Sequence, residues 1–530
     1  MTTHSARSLQ PDALAIEGNA LTIEDVDDVA RGHREVRLSA AAVQRVRAGR
    51  VRLEQVLQQR PVLYGVTTGV GQLGNMAIAA DEVGRLQVNI LRSHATGTGP
   101  AAEVDLVRAM LLLRANTLAI GVSAIRPPPL ELLLGMLNRG VHPVVPTQGS
   151  VGASGDLAPL SHAALVVIGE GRAEFAGKEY DGATALQLAG LHPAELRAKE
   201  ALALNNGTQF TTALAVLSAL DLRRLLSAAL AAAALTLEAL EGITDSLDAR
   251  VHQLRPHPGA IAVAACLRHG LRGSTRVRPS ASIQPGEARG PQDHYSLRAL
   301  PPVLGTAVSA MWQLEDTVST EINAATDDPL FVDGDDGSVA LYCCNFHAQP
   351  VSAALDHAAV GAATAASIAE RRIAIMVDAH HSRGLPPFLV HPEASVGVNT
   401  GLMIAHVTAA ALVSENKGLC HPASVDSIPT SANLEDFVSM GPIAGRKARQ
   451  VIANAEIVVA IELLCAAQAI DIRGDLEGLS EAARMIYEHV RAVSPTIVED
   501  RVFAEDINAI TQLVRSGVLA HVLPTLQRPV

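Results

Sequence analysis

Aromatic side chains are scarce in this sequence: seven Phe, five Tyr and one Trp in 530 residues, 2% of the chain. Strands favour aromatic and β-branched residues, whereas Ala and Leu dominate here, so the composition excludes a mainly β protein and points to helices. Cysteine is nearly as rare. Cys266, Cys343, Cys344, Cys420 and Cys465 have no metal-ligand spacing, which speaks against a zinc module. An odd count in a large chain without a secretory signal predicts reduced thiols in a cytoplasmic protein. A basic run is missing too: the net charge is −12, and a nucleic-acid partner needs a concentrated cationic face. Long apolar runs are few. Ala201–Leu220 is uncharged, but Asn205-Asn206-Gly207-Thr208-Gln209 interrupts it, and Leu225–Leu237 is too short to span a bilayer. Neither is predicted to meet lipid. The first twenty residues lack an apolar h-region and read as a flexible tail.

What the chain does have is 48% hydrophobic residues, enough for a sizeable core. Thr22 and Asp25 form a helix-start signal at the head of Ile23. From residue 21 to about 205, Gly and Pro cut the chain into short segments, the punctuation of loops, where chemistry is usually carried. Beyond Asn206-Gly207 the texture changes to long helical segments, predicted at 208–241, 302–323, 351–377 and 451–472. In the second of these Leu304, Val308, Met311, Val318 and Ile322 recur at helical spacing. Helices apolar nearly all round must be covered on every side. The expected architecture is therefore all-α: an irregular N-terminal part over 21–205, then a central helical bundle with C-terminal helices over 206–530 that also packs against other subunits.

Chemistry concentrates in Gly152-Ala153-Ser154-Gly155-Asp156-Leu157-Ala158-Pro159-Leu160. The amide nitrogen of Gly155 is the least hindered one available to attack the carbonyl two residues back. Joining Ala153 to Gly155 and losing water through Ser154 would close a five-membered ring with an exocyclic methylene. Asp156 is a good helix cap and Pro159 suits a first turn, so a helix N-terminus beside the ring would stabilise negative charge on its oxygens. Expelling an amine requires removal of a weakly acidic β-hydrogen, and no ordinary side chain is a strong electrophile.

At this string the sequence resembles the aromatic amino acid ammonia-lyase family, whose Ala-Ser-Gly becomes a methylidene-imidazolone group. The resemblance runs from about Leu21 to the last helices. It includes Tyr64-Gly65-Val66-Thr67-Thr68-Gly69, Asn205-Asn206-Gly207-Thr208, Gln292-Asp293-His294-Tyr295-Ser296-Leu297-Arg298, Asn323 to Pro329, and Asn345-Phe346-His347. It implies the all-helical ammonia-lyase/fumarase-like fold, a homotetramer, active sites drawn from three subunits, and an amino acid substrate with no metal or nucleotide. It also implies roles. Ala153, Ser154 and Gly155 supply the prosthetic group, to which the substrate amine adds. Tyr64 is the general base, and Arg298 holds the substrate carboxylate. Asn206, Gln292 and Tyr295 stabilise the adduct, and Phe346 packs against the ring.

Three other readings compete for parts of the chain. Gly69-Val70-Gly71-Gln72-Leu73-Gly74 is a formal dinucleotide fingerprint after the strand-like Pro61–Tyr64. A dehydrogenase would need alternating strands and helices downstream, and long helices stand there instead. Cys343-Cys344 near His347 suggests a nucleophilic pair, against two packed thiols on a pocket wall. His380-His381 lacks a third ligand at useful spacing.

Within the family the closest resemblance is to the histidine branch, whose members convert histidine to urocanate and ammonia. His94 and Glu435 occupy positions where that branch has a histidine and a glutamate, groups able to hydrogen-bond an imidazole. Pro422 to Asn433 also looks like that branch. Departures lie at Thr67, Val70, Cys343, Cys344, His381, Leu434 and Phe437. His381, Leu434 and Phe437 are assigned to the substrate pocket. Thr67 is similar to the aminomutase members, and the departures admit a modified histidine such as ergothioneine, with release of trimethylamine, or tyrosine as substrate.

Overall fold

Thr22 starts the first helix, Ile23–Ala30. Its hydroxyl accepts from the Asp25 N–H at 3.0 Å while the Asp25 carboxylate accepts from the Thr22 N–H at 3.1 Å, a complete capping box. This computed structural model describes residues 13–284, 287 and 292–528. Leu14–Ile16, within the stretch expected to be tail, pairs in parallel with Val36–Leu38. The remainder of the expected tail, residues 1–12, lies outside the described residues.

The described residues form eighteen α-helices and nine strands of three to five residues, the strands pairing only in twos and threes. The class is all-α, as the composition predicts. The long helices cover Gln209–Ala239, Leu300–Glu321, Gln349–Val377 and Gly441–Arg473. The first three match expectation within two residues. The fourth begins ten residues earlier than expected, because Arg446, Lys447 and Arg449 break the apolar run in its opening turns. Gln349–Val377 is the one described helix long and apolar enough to cross a membrane, and 67% of its most apolar stretch is buried inside the protein. The two apolar runs weighed in the sequence do not qualify. Residues 201–220 break into separate helices at Asn206.

By compactness the chain divides into two units. One comprises Met1–Leu217, Leu314–Leu355 and Pro422–Arg446, the other Ser218–Gln313, Asp356–His421 and Lys447–Val530. In the first, the helix Val104–Ala119 is buried along nearly its whole length, packed by Ile23–Ala30 and Pro127–Arg139. Two buried arginines there hold helix ends through backbone carbonyls. Arg108 donates to Val29 and Leu137, and Arg114 donates to Ala203 and Asn206. In the second unit Arg372 and Glu462, both fully buried, share two bonds of 2.6 Å. Thr236 adds a third donor to that carboxylate at 2.8 Å.

Candidate active site

The reactive tripeptide sits between the strand Pro146–Gln148 and the helix Leu157–Val167. Gly155 has φ +73°, and a Cβ on it would lie 2.3 Å from the Gly207 carbonyl oxygen. No other residue fits that approach. The Asp156 N–H donates to the same carbonyl at 2.7 Å, clipping the loop to the segment carrying Asn206. The Asn206 amide donates to the Ser154 carbonyl at 2.9 Å, while its own oxygen is buried without a partner. Arg114 fixes this segment from behind, donating to the Asn206 carbonyl at 2.7 Å and to Gln209 Oε1 at 2.8 Å.

Asp156 stands at the N-cap position but makes no cap bond with its side chain. It is fully buried and accepts instead from the Thr211 N–H at 2.7 Å and hydroxyl at 2.9 Å. Burial pushes its carboxyl up to about 7 against the pull of those donors. The expected cap is thus a tertiary clamp, because Thr211 offers two donors in the place of one.

Ser154 lines a cavity of about 560 Å³ in the first unit, together with Tyr64, His94, Asn206, Phe346, Leu434 and Glu435. The Tyr64 oxygen accepts from the Gly71 N–H at 2.7 Å, and its ring lies against Gly74, where a Cβ would stand 2.5 Å from it. His94 ends the helix Val83–His94. Its Nδ1 is 2.7 Å from the Ile90 carbonyl, so that nitrogen carries the hydrogen and Nε2 remains for a ligand. Glu435 Oε1 accepts from Ser154 Oγ at 2.5 Å and Oε2 from Thr430 Oγ1 at 3.0 Å. The turn that presents it holds Ser431, Ala432 and Asn433 at φ +51°, +54° and +66°. Left-handed non-glycine residues cost about 1–2 kcal/mol each, and such strain gathers at working sites.

Not every expected residue meets in this cavity. Phe437 is outside its lining and stacks on the His347 ring at 6.1 Å. Gln292, Tyr295, Arg298 and His381 line a different cavity of about 1100 Å³ in the second unit. There Tyr295 is 74% exposed, with the Arg298 guanidinium 4.7 Å from its ring centre. His381 Nδ1 is 2.6 Å from Asp378 and its ring meets His294 edge-on. Residues with no individual role in the site assigned from the sequence also matter. Thr430 anchors Glu435, the Gly71 N–H holds Tyr64, and Asp328 lines the first cavity with its carboxyl raised by burial. Nothing in their spacing announces them.

The competing readings lose their geometry. Gly69–Gly74 leads into a 3-10 turn, Gly71–Asn75, that opens no α-helix, and residues 61–64 form no strand. Cys343 Sγ donates to the Asp327 carbonyl, and burial raises its thiol, the wrong direction for a nucleophile. Its neighbour Cys344 is exposed, not packed. His347 Nε2 is engaged with the Phe437 carbonyl.

Known proteins show the same outline. A sequence model of the aromatic amino acid lyase family matches residues 21–492. A histidine ammonia-lyase of Gloeobacter violaceus is 47% identical over 511 residues, 96% of this chain and 97% of that protein. Among solved structures, tyrosine aminomutase from Streptomyces globisporus superposes with a TM-score of 0.91 at 37% identity, covering 96% of this chain and 98% of that one. Histidine ammonia-lyase from Trypanosoma cruzi gives 0.87 at 38% identity, covering 96% and 94%. The match runs the length of the chain and includes the loop built around Ser154, and on both counts this protein belongs to the aromatic amino acid lyase family.

Proposed function

We propose that this protein is an ammonia-lyase that converts histidine to urocanate and ammonia, using a methylidene-imidazolone group made from Ala153, Ser154 and Gly155. The observation that carries the reading is the meeting, in one cavity, of the Glu435 carboxylate and the His94 imidazole with Ser154, Tyr64 and Asn206. The residues fit the prosthetic group. The Gly155 backbone already crowds against Gly207 where no Cβ is tolerated, and the Asn206 amide donates to the Ser154 carbonyl, which stays an acceptor in the closed ring. When formed, the group supplies the electrophile that makes the substrate amine a leaving group.

The chain's own groups do the rest. Tyr64, its oxygen held as an acceptor by Gly71, takes the β-hydrogen as general base. His94 Nε2 and Glu435 hydrogen-bond the imidazole, and Phe346 and Leu434 cover its apolar edges. Such a site rejects phenyl rings, because a bound ring would cover these polar atoms and leave them unpaired. Arg298 binds the substrate carboxylate by a two-point contact, with Gln292, Tyr295 and His381 beside it. These four come from neighbouring copies of the chain in a homotetramer, a reading supported by the open cavity they line. The enzyme works in the cytoplasm.

A panel of histidine, ergothioneine, tyrosine and phenylalanine tests the assignment, followed by ultraviolet absorbance and by the identity of the amine released. Histidine is expected to be turned over fastest, with ammonia as co-product. Faster turnover of tyrosine or phenylalanine than of either imidazole compound would overturn it.

A further inference from the structure

The wall of the Ser154 cavity carries a carboxyl without a counter-charge. Asp328 lines that cavity. One of its oxygens accepts from the Cys343 N–H at 2.6 Å, with the Cys343 thiol beside it. The near cation is already engaged. Lys199 Nζ donates to Asp327 Oδ2 at 2.9 Å and reaches Asp328 only at its backbone carbonyl, at 3.2 Å. Among the described residues no Arg, Lys or His forms an ion pair with the Asp328 carboxyl, and no residue lining the cavity is Lys or Arg. Burial raises this carboxyl, and the Asp327 charge adds to the rise against the pull of Cys343 and Lys199. The fold has no use for the charge, since an amide oxygen would hold the Cys343 N–H equally well. A half-buried charge without a partner is costly, so the partner comes from outside the chain.

Its place in the cavity indicates which part of the substrate supplies that partner. The segment Thr326–Asp328 packs on the prosthetic-group loop. A Cβ on Gly207 would lie 3.1 Å from the Thr326 carbonyl oxygen, and Gly207 pairs with Gly155. Gln209 Nε2 fixes the segment through Thr326 Oγ1 at 2.6 Å. On the other side Tyr342, next to Cys343, accepts from the Tyr64 N–H at 3.2 Å. Asp328 is therefore tied both to the loop of Ser154 and to the loop of Tyr64. An amino acid spans the same two points with its amine and its β-carbon, and the amine arrives as an ammonium ion. We propose that Asp328 is a specificity-determining residue that holds the substrate's ammonium group beside Ser154 by a charge-assisted hydrogen bond. The proposal rests on the ammonia-lyase reading above and adds the group that reads the amine. His94 and Glu435 read the ring; Asp328 reads the other end.

The test is steady-state kinetics on the whole enzyme, wild type and Asp328→Asn, with intact mass verifying that both waters have been lost. Asparagine keeps the shape and the acceptor for Cys343 and removes only the charge. Two probes are compared: histidine, and imidazolepropanoate, which is histidine without its amine, as a competitive inhibitor. A hydrogen bond to a charged group is worth roughly ten- to a hundredfold in binding. In Asp328→Asn the KM for histidine is therefore expected to rise about tenfold or more, while the inhibition constant of imidazolepropanoate stays within about twofold. An unchanged KM for histidine overturns the proposal. Equal loss of affinity for both probes marks a structural residue and also overturns it. If Asp328→Asn is insoluble or keeps its waters, wild type decides. Imidazolelactate, with a neutral hydroxyl in place of the ammonium, is then expected to have an inhibition constant at least about tenfold above the KM for histidine, and equal values overturn the proposal. If wild type turns over tyrosine and not histidine, the histidine reading falls by itself. Tyrosine and its desamino acid then replace the two probes, and the same outcomes decide the role of Asp328.

Discussion

Replacing Tyr64 by Phe separates chemistry from folding more cleanly than any other single change in this protein. The ring stays where it is, flat against Gly74, which leaves no room for a Cβ, and edge-on to Tyr342 with centroids 6.5 Å apart. Only the phenolic oxygen is lost, and with it one acceptor for the Gly71 N–H at 2.7 Å. A half-buried N–H left without that partner costs about 1 kcal/mol, which moves the unfolding temperature of a protein this large by no more than a few degrees. Loss of a general base costs about a hundred- to ten-thousand-fold in turnover, or roughly 3–5 kcal/mol of barrier. The two effects are therefore well apart. Urocanate formation from histidine is followed by absorbance, thermal unfolding is recorded on the same sample, and intact mass verifies that both waters have been lost. The expected result is a protein of near-normal stability and unchanged mass whose turnover has fallen at least a hundredfold. Near-normal turnover would refute the assignment of the base and move it to Tyr295.

Four further outcomes follow from the same geometry. Intact mass of the wild type is expected two waters below the translated sequence, and Ser154→Ala is expected to restore at least one water and abolish activity. His94→Leu removes the Nε2 acceptor from the cavity, so turnover of histidine is expected to fall more than turnover of phenylalanine, narrowing the gap between them in side-by-side assays. Asp156 gives a pH dependence of stability. Its folded-state carboxyl, raised to about 7, holds a proton that the unfolded chain releases near its ordinary value. Its contribution is thus complete below about pH 4 and lost as pH rises through 7, on the order of 4 kcal/mol. Thermal unfolding of Asp156→Asn is expected to fall less steeply over that window than that of wild type. In the second unit, Glu462→Gln breaks the buried pair with Arg372 and is expected to cost about 3–5 kcal/mol. The double change Arg372→Met with Glu462→Leu is expected to recover a good part of that in the unfolding midpoint.

Local rules carried the reading of the fold. The Thr22 and Asp25 box, the long helices and the left-handed glycine at residue 155 all rest on interactions within a few residues or on a single backbone angle, and such interactions leave a mark in the sequence. Asp156 shows where that mark misleads. As a residue type it predicts a cap; its carboxylate binds Thr211, 55 residues away, and spacing along the chain carries no trace of it. Phe437 shows the same limit, since family position put it in the pocket while its ring found the His347 face. The turn at Ser431–Asn433 is harder still. None of its three residues is glycine, so composition argues against the left-handed backbone they adopt. Their conformation is imposed from outside, by Gly71 and Gln72 packing on the turn and by the Thr430–Glu435 pairing that closes it. The two segments that supply Tyr64 and Glu435 therefore brace each other, and the strain of one is borne by contact with the other. The proposed base and the carboxylate that faces the ring, drawn from distant parts of the sequence, keep their places in the cavity for that reason.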